Sequence, residues 1–282
     1  MQKYNEKTEF YVPDHINLEA AFKRTTHMAV LAHHDDIEIG AFDGVLQTFQ
    51  QKDKWFFGVV VTDGSGSSRG GAYKNYTNED MMKVRNLEQK KAAMLGEYGL
   101  QAFINAPSSQ TKDPKDQVVV EEIKKMILDA NPEVIYTHNL ADKHDTHIGV
   151  VTKTIKAIRL IEPKLRPKHL YAVEVWRDLD WLMDDEKVVF NVGGRPNLAA
   201  SLVEVFDSQI DGAKRYDLAA IGRRLANATF STAHAVDQSE AVINGMDLTP
   251  LIKDDSIDMV EFILQAIDRF KKDVEHKIKK ML

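Results

Sequence analysis

Along the chain, short apolar runs alternate with stretches in which apolar residues return every three or four positions. Met28–Ala32 reads as a first buried strand, and Ala41, Val45 and Phe49 then recur at helical spacing. Trp55–Thr62 (WFFGVVVT) is apolar almost throughout, as expected of a strand covered on both faces. Asn78 is placed to cap a helix running to about Glu97, with Val84, Leu87, Met94 and Leu95 as its apolar side. Ala102–Ala106 reads as a third strand. Asp116 is placed to cap a helix striped by Val119, Ile123, Met126, Ile127 and Ala130, which Asn131-Pro132 ends. Glu133–Thr137 (EVIYT) follows as a fourth strand, then a helical stripe of Ile148, Val151, Ile155 and Ile158. His169–Trp176 is a fifth strand.

This alternation predicts an α/β fold: a Rossmann-like, mostly parallel sheet with helices on both faces. The strand order expected is 3-2-1-4-5. Beyond residue 177 the pattern changes. Val188–Val192 reads as a strand, and Asp211–Ala228 and Ser256–Lys280 as amphipathic helices. No repeat or linker divides the chain, so residues 1–282 are expected to form one domain. Its core covers about 25–175, and a C-terminal α/β extension about 176–282.

Composition narrows the function. There are 37 basic against 43 acidic side chains, a net charge of −6, which argues against a general nucleic-acid binder. Cysteine is absent, so a metal would be held by histidine and carboxylate alone. No apolar run has the length of a membrane span and MQKYNEKTEF lacks a signal-peptide core, so a cytoplasmic protein is expected. The tail lysines (Lys271, Lys272, Lys277, Lys279, Lys280) read as a solvated helix face.

Five of the ten histidines fall in two short stretches: His33 and His34 after the first strand, and His138, His144 and His147 after the fourth. In open parallel sheets, ligands bind at the carboxyl ends of strands, and the first and fourth strands flank the switch point. Two loops over a hundred residues apart would then build one site. His33 and Asp36 can turn to one ion, His147 supplies a third ligand from the opposite loop, and Asp35 stays off the metal as a base. That is the donor set of a zinc hydrolase. The glycines Gly64, Gly66, Gly70 and Gly71 lack the lysine of a P-loop and read as a turn.

The motifs resemble those of the PIG-L/LmbE-like zinc-dependent de-N-acetylases, which include deacetylases of N-acetylglucosaminyl-phosphatidylinositol and of mycothiol and bacillithiol synthesis. AHHDDIEIG (32–40) matches AHPDD-x-E-x-G except at His34. VVTDGSGSSRG resembles the TDG loop, VRNLEQKKAAMLG the helix that would hold Arg85 and Glu88, and HDTH (144–147) the H-x-D-H motif except at Thr146. The resemblance covers about residues 25–175. It implies that His33, Asp36 and His147 bind Zn2+, another divalent ion remaining open, and that Asp35 is the general base. It also implies that His144 stabilises the oxyanion or protonates the leaving amine, while Asp63 and Arg85 shape the site or touch substrate. His34 stands where proline shapes the metal loop and is itself an additional potential ligand. Because Thr146 cannot act as a carboxylate, Asp145 is expected to orient His144 in its place, ahead of Asp142. The expected partner is a small N-acetylated sugar or sugar conjugate, with no nucleic acid, no membrane span, and a homo-oligomer left open. Two rivals remain: a hydrolase of another amide or ester, and a non-catalytic Rossmann-like binding protein, although the first strand lacks G-x-G-x-x-G. Ser208, Gln209 and His234 are candidates for specificity in the C-terminal region.

Overall fold

A computed structural model describes all residues, 1–282. The strands are β1 (Glu9–Tyr11), β2 (His27–Leu31), β3 (Phe56–Thr62), β4 (Leu100–Ala106), β5 (Val134–His138), β6 (His169–Val173), β7 (Lys187–Asn191) and β8 (Val242–Asp247). They form one sheet in the order β1-β4-β3-β2-β5-β6-β8-β7. The central run β4-β3-β2-β5-β6 is parallel throughout, which is the 3-2-1-4-5 order expected from the sequence. β1 adds antiparallel at one edge, and β8 and β7 add antiparallel at the other. The C-terminal region therefore extends the same sheet instead of building a second one.

The helices are α1 (Leu18–Lys23), α2 (Asp36–Gly40), α3 (Phe42–Thr48), α4 (Asn78–Leu95), α5 (Ser108–Lys112), α6 (Val118–Ala130), α7 (Asp145–Arg159), α8 (Pro196–Glu204), α9 (Asp207–Ile210), α10 (Tyr216–Phe230), α11 (Thr249–Lys253) and α12 (Met259–Met281). Alternate residues of each central strand feed two apolar layers. Met28 and Val30 of β2 pack with Ile123 and Met126 of α6 and Val151 and Ile155 of α7. Ala29 and Leu31 pack on the opposite face with Phe42 and Val45 of α3 and Leu198 and Leu202 of α8. Burial on both faces is why these strands read as continuous apolar runs. No helix is long and apolar enough to cross a membrane.

Three expectations change. The cap of α4 is Thr77, in a capping box with Asp80, and Asn78 is the first helical residue. Leu87, Met94 and Leu95 of α4 are exposed, while Met81, Arg85, Glu88, Gln89, Ala92 and Ala93 are buried. The helix buries a largely polar face because Arg85, Glu88 and Gln89 find partners beneath it. Asp211 starts no long helix: it follows the short α9, and α10 begins at Tyr216.

Candidate metal centre and cavity

The site forms where β2 and β5 end side by side. The backbone N–H of Ala32 donates to His138 Nε2 at 2.8 Å, tying the two strand ends together. The His33 N–H donates to Asp36 Oδ2 at 2.7 Å, closing the loop that leaves β2. Between them Asp35 adopts φ +93°, a left-handed conformation that costs a non-glycine residue about 1–3 kcal/mol.

Three donor atoms converge there. His33 Nδ1 lies 3.1 Å from Asp36 Oδ2 and 3.1 Å from His147 Nε2, and the latter two are 3.2 Å apart. A tetrahedral ion with bonds of about 2.0–2.1 Å has ligand–ligand edges of about 3.3 Å. The triangle fits one face of such a site. His147, in the first turn of α7, is held by Asp142, whose Oδ2 is 3.1 Å from Nδ1. The other Asp142 oxygen accepts the Lys143 and His144 N–H groups at 2.6 and 3.2 Å. Carboxylate contact at Nδ1 leaves Nε2 as the ligating lone pair. His138 stacks on His147 at 3.7 Å between ring centroids. Its Nε2 is already taken by Ala32, so it supports the centre without completing the triangle.

The electrostatics favour a cation. Burial alone would lower His147, but Asp36 and Asp142 outweigh it and hold the imidazole up at about 9. Burial opposes ionisation of Asp36 as well, yet His147 and His33 keep its carboxyl well below the usual range. Burial pushes the neighbouring Asp35 up to about 6 against the pull of Arg85. Arg85 is itself buried. It donates to Asp35 Oδ2 at 2.9 Å, to the His34 carbonyl, and to Glu88 Oε2 at 3.3 Å. Glu88 in turn accepts the Ser208 N–H and hydroxyl, each at 2.7 Å. Gly64 (φ +75°) packs against this arginine so closely that a Cβ would stand 3.0 Å from Arg85 Cβ.

The other sequence expectations divide. His34 turns away from the donors: its Nε2 meets Asn86 Oδ1 at 2.7 Å and its ring stacks on Phe103. Asp63 holds the following turn, accepting the Ser65 N–H and hydroxyl at 3.0 and 2.7 Å. The expected Asp145–His144 pairing is corrected. Asp145 is exposed in the first turn of α7, and His144 Nδ1 instead accepts the Thr146 N–H at 3.3 Å as the helix N-cap. The nearby aspartate does hold a histidine, but it is Asp142 and it holds His147. Ser208 braces Glu88, Gln209 lines the cavity, and His234 is exposed outside it.

Two of the three donors, His33 and Asp36, lie at the wall of a cavity of about 670 Å³, the size range of sites for small organic ligands, and His147 is buried behind them. His33, Asp35, Asp36 and His144 face it from the core. Trp176, Lys214, Tyr216, Arg223 and Arg224 line it from the C-terminal region. Nothing in their sequence pattern marked the last five as a site except Trp176, at the end of the predicted fifth strand.

Residues 28–158 match the family model described as PIG-L, GlcNAc-PI de-N-acetylase. An uncharacterized deacetylase of Escherichia coli, YaiS, is 26% identical over 150 residues, 53% of this chain and 77% of its own length. Among solved structures, N,N'-diacetylchitobiose deacetylase from Pyrococcus horikoshii aligns with a TM-score of 0.59 at 15% identity, covering 81% of this chain and 87% of its own. GalB, a 4-carboxy-2-hydroxymuconate hydratase from Pseudomonas putida, aligns with a TM-score of 0.56 at 14% identity, covering 79% and 95%. The family match and the curated relative bear out the resemblance read from the motifs, with the deacetylase class, and the solved structures bear out the fold. The α/β fold is shared more widely, including by a hydratase, so the reaction must be argued from the site.

Proposed function

From the PIG-L-type deacetylase module formed by residues 28–158, we propose that the chain is a zinc-dependent hydrolase that removes the acetyl group from an N-acetylglucosamine-type sugar or conjugate. The observation that carries this reading is the triangle of His33, Asp36 and His147 with Asp35 beside it on the cavity wall. The donor set suits zinc, which when bound acidifies the attacking water and polarises the amide carbonyl.

The chain's own residues supply the rest. Asp35, held by Arg85, accepts a proton from the water as its oxygen bonds to the carbonyl carbon. Because His144 Nδ1 accepts the Thr146 N–H, the neutral ring carries its proton on Nε2 and offers a hydrogen bond from it, without transferring the proton, to the developing oxyanion. One such donor is worth about 3–4 kcal/mol. Burial and the neighbouring His33 and His147 lower the His144 pKa, which keeps the ring neutral for this role. Asp35 then returns its proton to the amine as the C–N bond breaks, giving acetate and a free amino sugar.

The test is acetate release from a panel of N-acetylated sugars, other amides and esters by zinc-loaded protein and its Asp35→Asn variant. The variant is expected to retain zinc and lose about 10²–10⁴-fold in turnover. Loss of zinc from Asp35→Asn would make Asp35 a ligand. Release from other amides or esters alone would replace the sugar reading with the broader hydrolase.

A further inference from the structure

We propose that Lys214, Arg223 and Arg224, at and just before α10, form a subsite for an anionic group, phosphate or carboxylate, on the substrate of this cavity. The proposal rests on the hydrolase reading above for the reacting end of the ligand. It concerns residues beyond the stretch matched by the family.

The protein is acidic, with a net charge of −6, yet besides the paired Arg85 five cationic side chains line this one cavity: Lys112, Lys143, Lys214, Arg223 and Arg224. None stands within 4.0 Å of a carboxylate. The chain's other buried cations are paired, as Arg85 with Asp35 and Glu88, and Arg166 with Asp255. Arg224 is the sharpest case. It is 4% exposed, its Nη2 donates to the carbonyls of Glu38 and Ile39 at 2.5 and 3.1 Å, and its guanidinium lies over the Phe42 ring. Its Nε and Nη1 have no protein partner. A buried guanidinium with free N–H groups is costly unless a ligand satisfies it.

Its neighbours extend the same field. Arg223 donates to the Val175 carbonyl, and Lys214 lies 5.1 Å from the centre of the Trp176 ring. The cavity's carboxylates neutralise the group only in part: Glu174 attracts Arg223 and Arg224 but forms no ion pair with either within 4.0 Å. Asp36 belongs to the histidines, Asp35 to Arg85, and Glu174 accepts from Asn227 and from the backbone of Asn244 and Leu179. Trp176 and Tyr216, edge to face at 6.1 Å, add aromatic surface beside these cations on which a sugar ring can pack. The geometry therefore calls for a ligand whose acetamide reaches the metal centre and whose acidic group reaches α10.

The test compares acetate release from N-acetylglucosamine, its 1- and 6-phosphates and its carboxymethyl glycoside, using zinc-loaded wild type, Lys214→Met, Arg223→Gln and Arg224→Met. Wild type is expected to favour at least one charged substrate by about 10–100-fold in kcat/KM, the worth of a charged hydrogen bond. The half-buried variants Lys214→Met and Arg223→Gln should pull that ratio toward one even if Arg224→Met fails to fold. Whether a phosphate or the carboxylate shows the preference names the group. Equal rates on charged and neutral sugars overturn the subsite and leave the hydrolase standing. A preference that survives in all folded variants also overturns it, since the anion is then held at the metal centre. If no sugar releases acetate, calorimetric binding of the same compounds decides. Tighter binding of a charged sugar to wild type than to Lys214→Met upholds the subsite although the hydrolase reading fails, and equal binding overturns both.

Discussion

Replacing Asp142 with asparagine removes one charge at constant shape and tests what fixes His147, the proposed metal ligand. Four donors meet this carboxylate. Lys143 and His144 N–H bind Oδ1 at 2.6 and 3.2 Å, while His147 Nδ1 and the Trp176 N–H approach Oδ2 at 3.1 and 3.4 Å. An amide offers only one acceptor oxygen. Keeping that oxygen on the two backbone groups preserves the shorter contacts and turns the amide NH2 toward His147. His147 Nδ1 must then accept, which moves the ring proton to Nε2, where it occupies the ligating lone pair. Loss of such an outer partner lowers metal affinity about 10–100-fold, or about 1.4–2.7 kcal/mol. The opposite orientation sets the NH2 against two backbone donors and costs the loop about 1–3 kcal/mol. That is why the first orientation is expected to win.

The assay is competition for Zn2+ against a chromophoric chelator, with thermal melting of the metal-free protein alongside. Asp142→Asn should weaken zinc binding about 10–100-fold and change melting little, whereas Asp145→Asn should alter neither. Zinc affinity within about 2-fold of wild type, at unchanged melting, would show that Asp142 does not set the His147 tautomer. A loss on Asp145→Asn would restore the role read from sequence adjacency.

Three further outcomes follow from the same geometry. Arg85→Met leaves Asp35 and Glu88 buried without their cation, and should destabilise the fold by about 3–5 kcal/mol in chemical denaturation; a loss below 1 kcal/mol, roughly, would mean the two carboxylates are neutral in the native protein. His34→Ala should leave zinc content at one equivalent, roughly, because the ring faces Asn86 and Phe103; zinc loss on elemental analysis would make His34 a ligand after all. Gly64→Ala forces a Cβ into a φ of +75° and against Arg85 and His34, so it should cost about 1–2 kcal/mol or more; unchanged stability would show that this turn relaxes freely.

The central strands were legible because burial on both faces leaves only apolar residues in them, and a single apolar run carries the whole signal. That signal fails at the edges. β1 is three residues long, and β8 (VINGMD) carries Asn244, Gly245 and Asp247, so neither reads as a strand. It also misleads on α4, whose apolar residues face solvent because the helix is committed to holding Asp35 through Arg85 and Glu38 through Gln89. The cavity cations were illegible for a related reason. Arg223 and Arg224 sit on a helix far along the chain from the histidines, and only the tertiary fold brings α10 over the ends of β2 and β6.

The proposed division of labour between Asp35 and Asp36 marks where sequence stops and backbone begins. The two are adjacent and chemically identical, so composition and spacing cannot separate a ligand from a base. The left-handed φ of Asp35 separates them. It sends one carboxylate to Arg85 and the next to His33 and His147. Each then acquires its own field: the histidines hold Asp36 ionised, while burial raises Asp35 toward neutrality against its arginine. Strain of about 1–3 kcal/mol at one residue is modest beside the charge separation it permits. The same reasoning accounts for the departures from the family motif. His34 follows His33 in the turn and is carried to the far side of it, where a neutral ring packs against Phe103 and burial pushes its pKa down to about 3. Thr146 contributes its N–H to His144 through the turn of α7, a bond that any residue but proline supplies, so the missing carboxylate need not disable His144. What the fold requires at these positions is a direction of the backbone, and the side chains that differ from the motif are buried where they meet none of the three proposed donors.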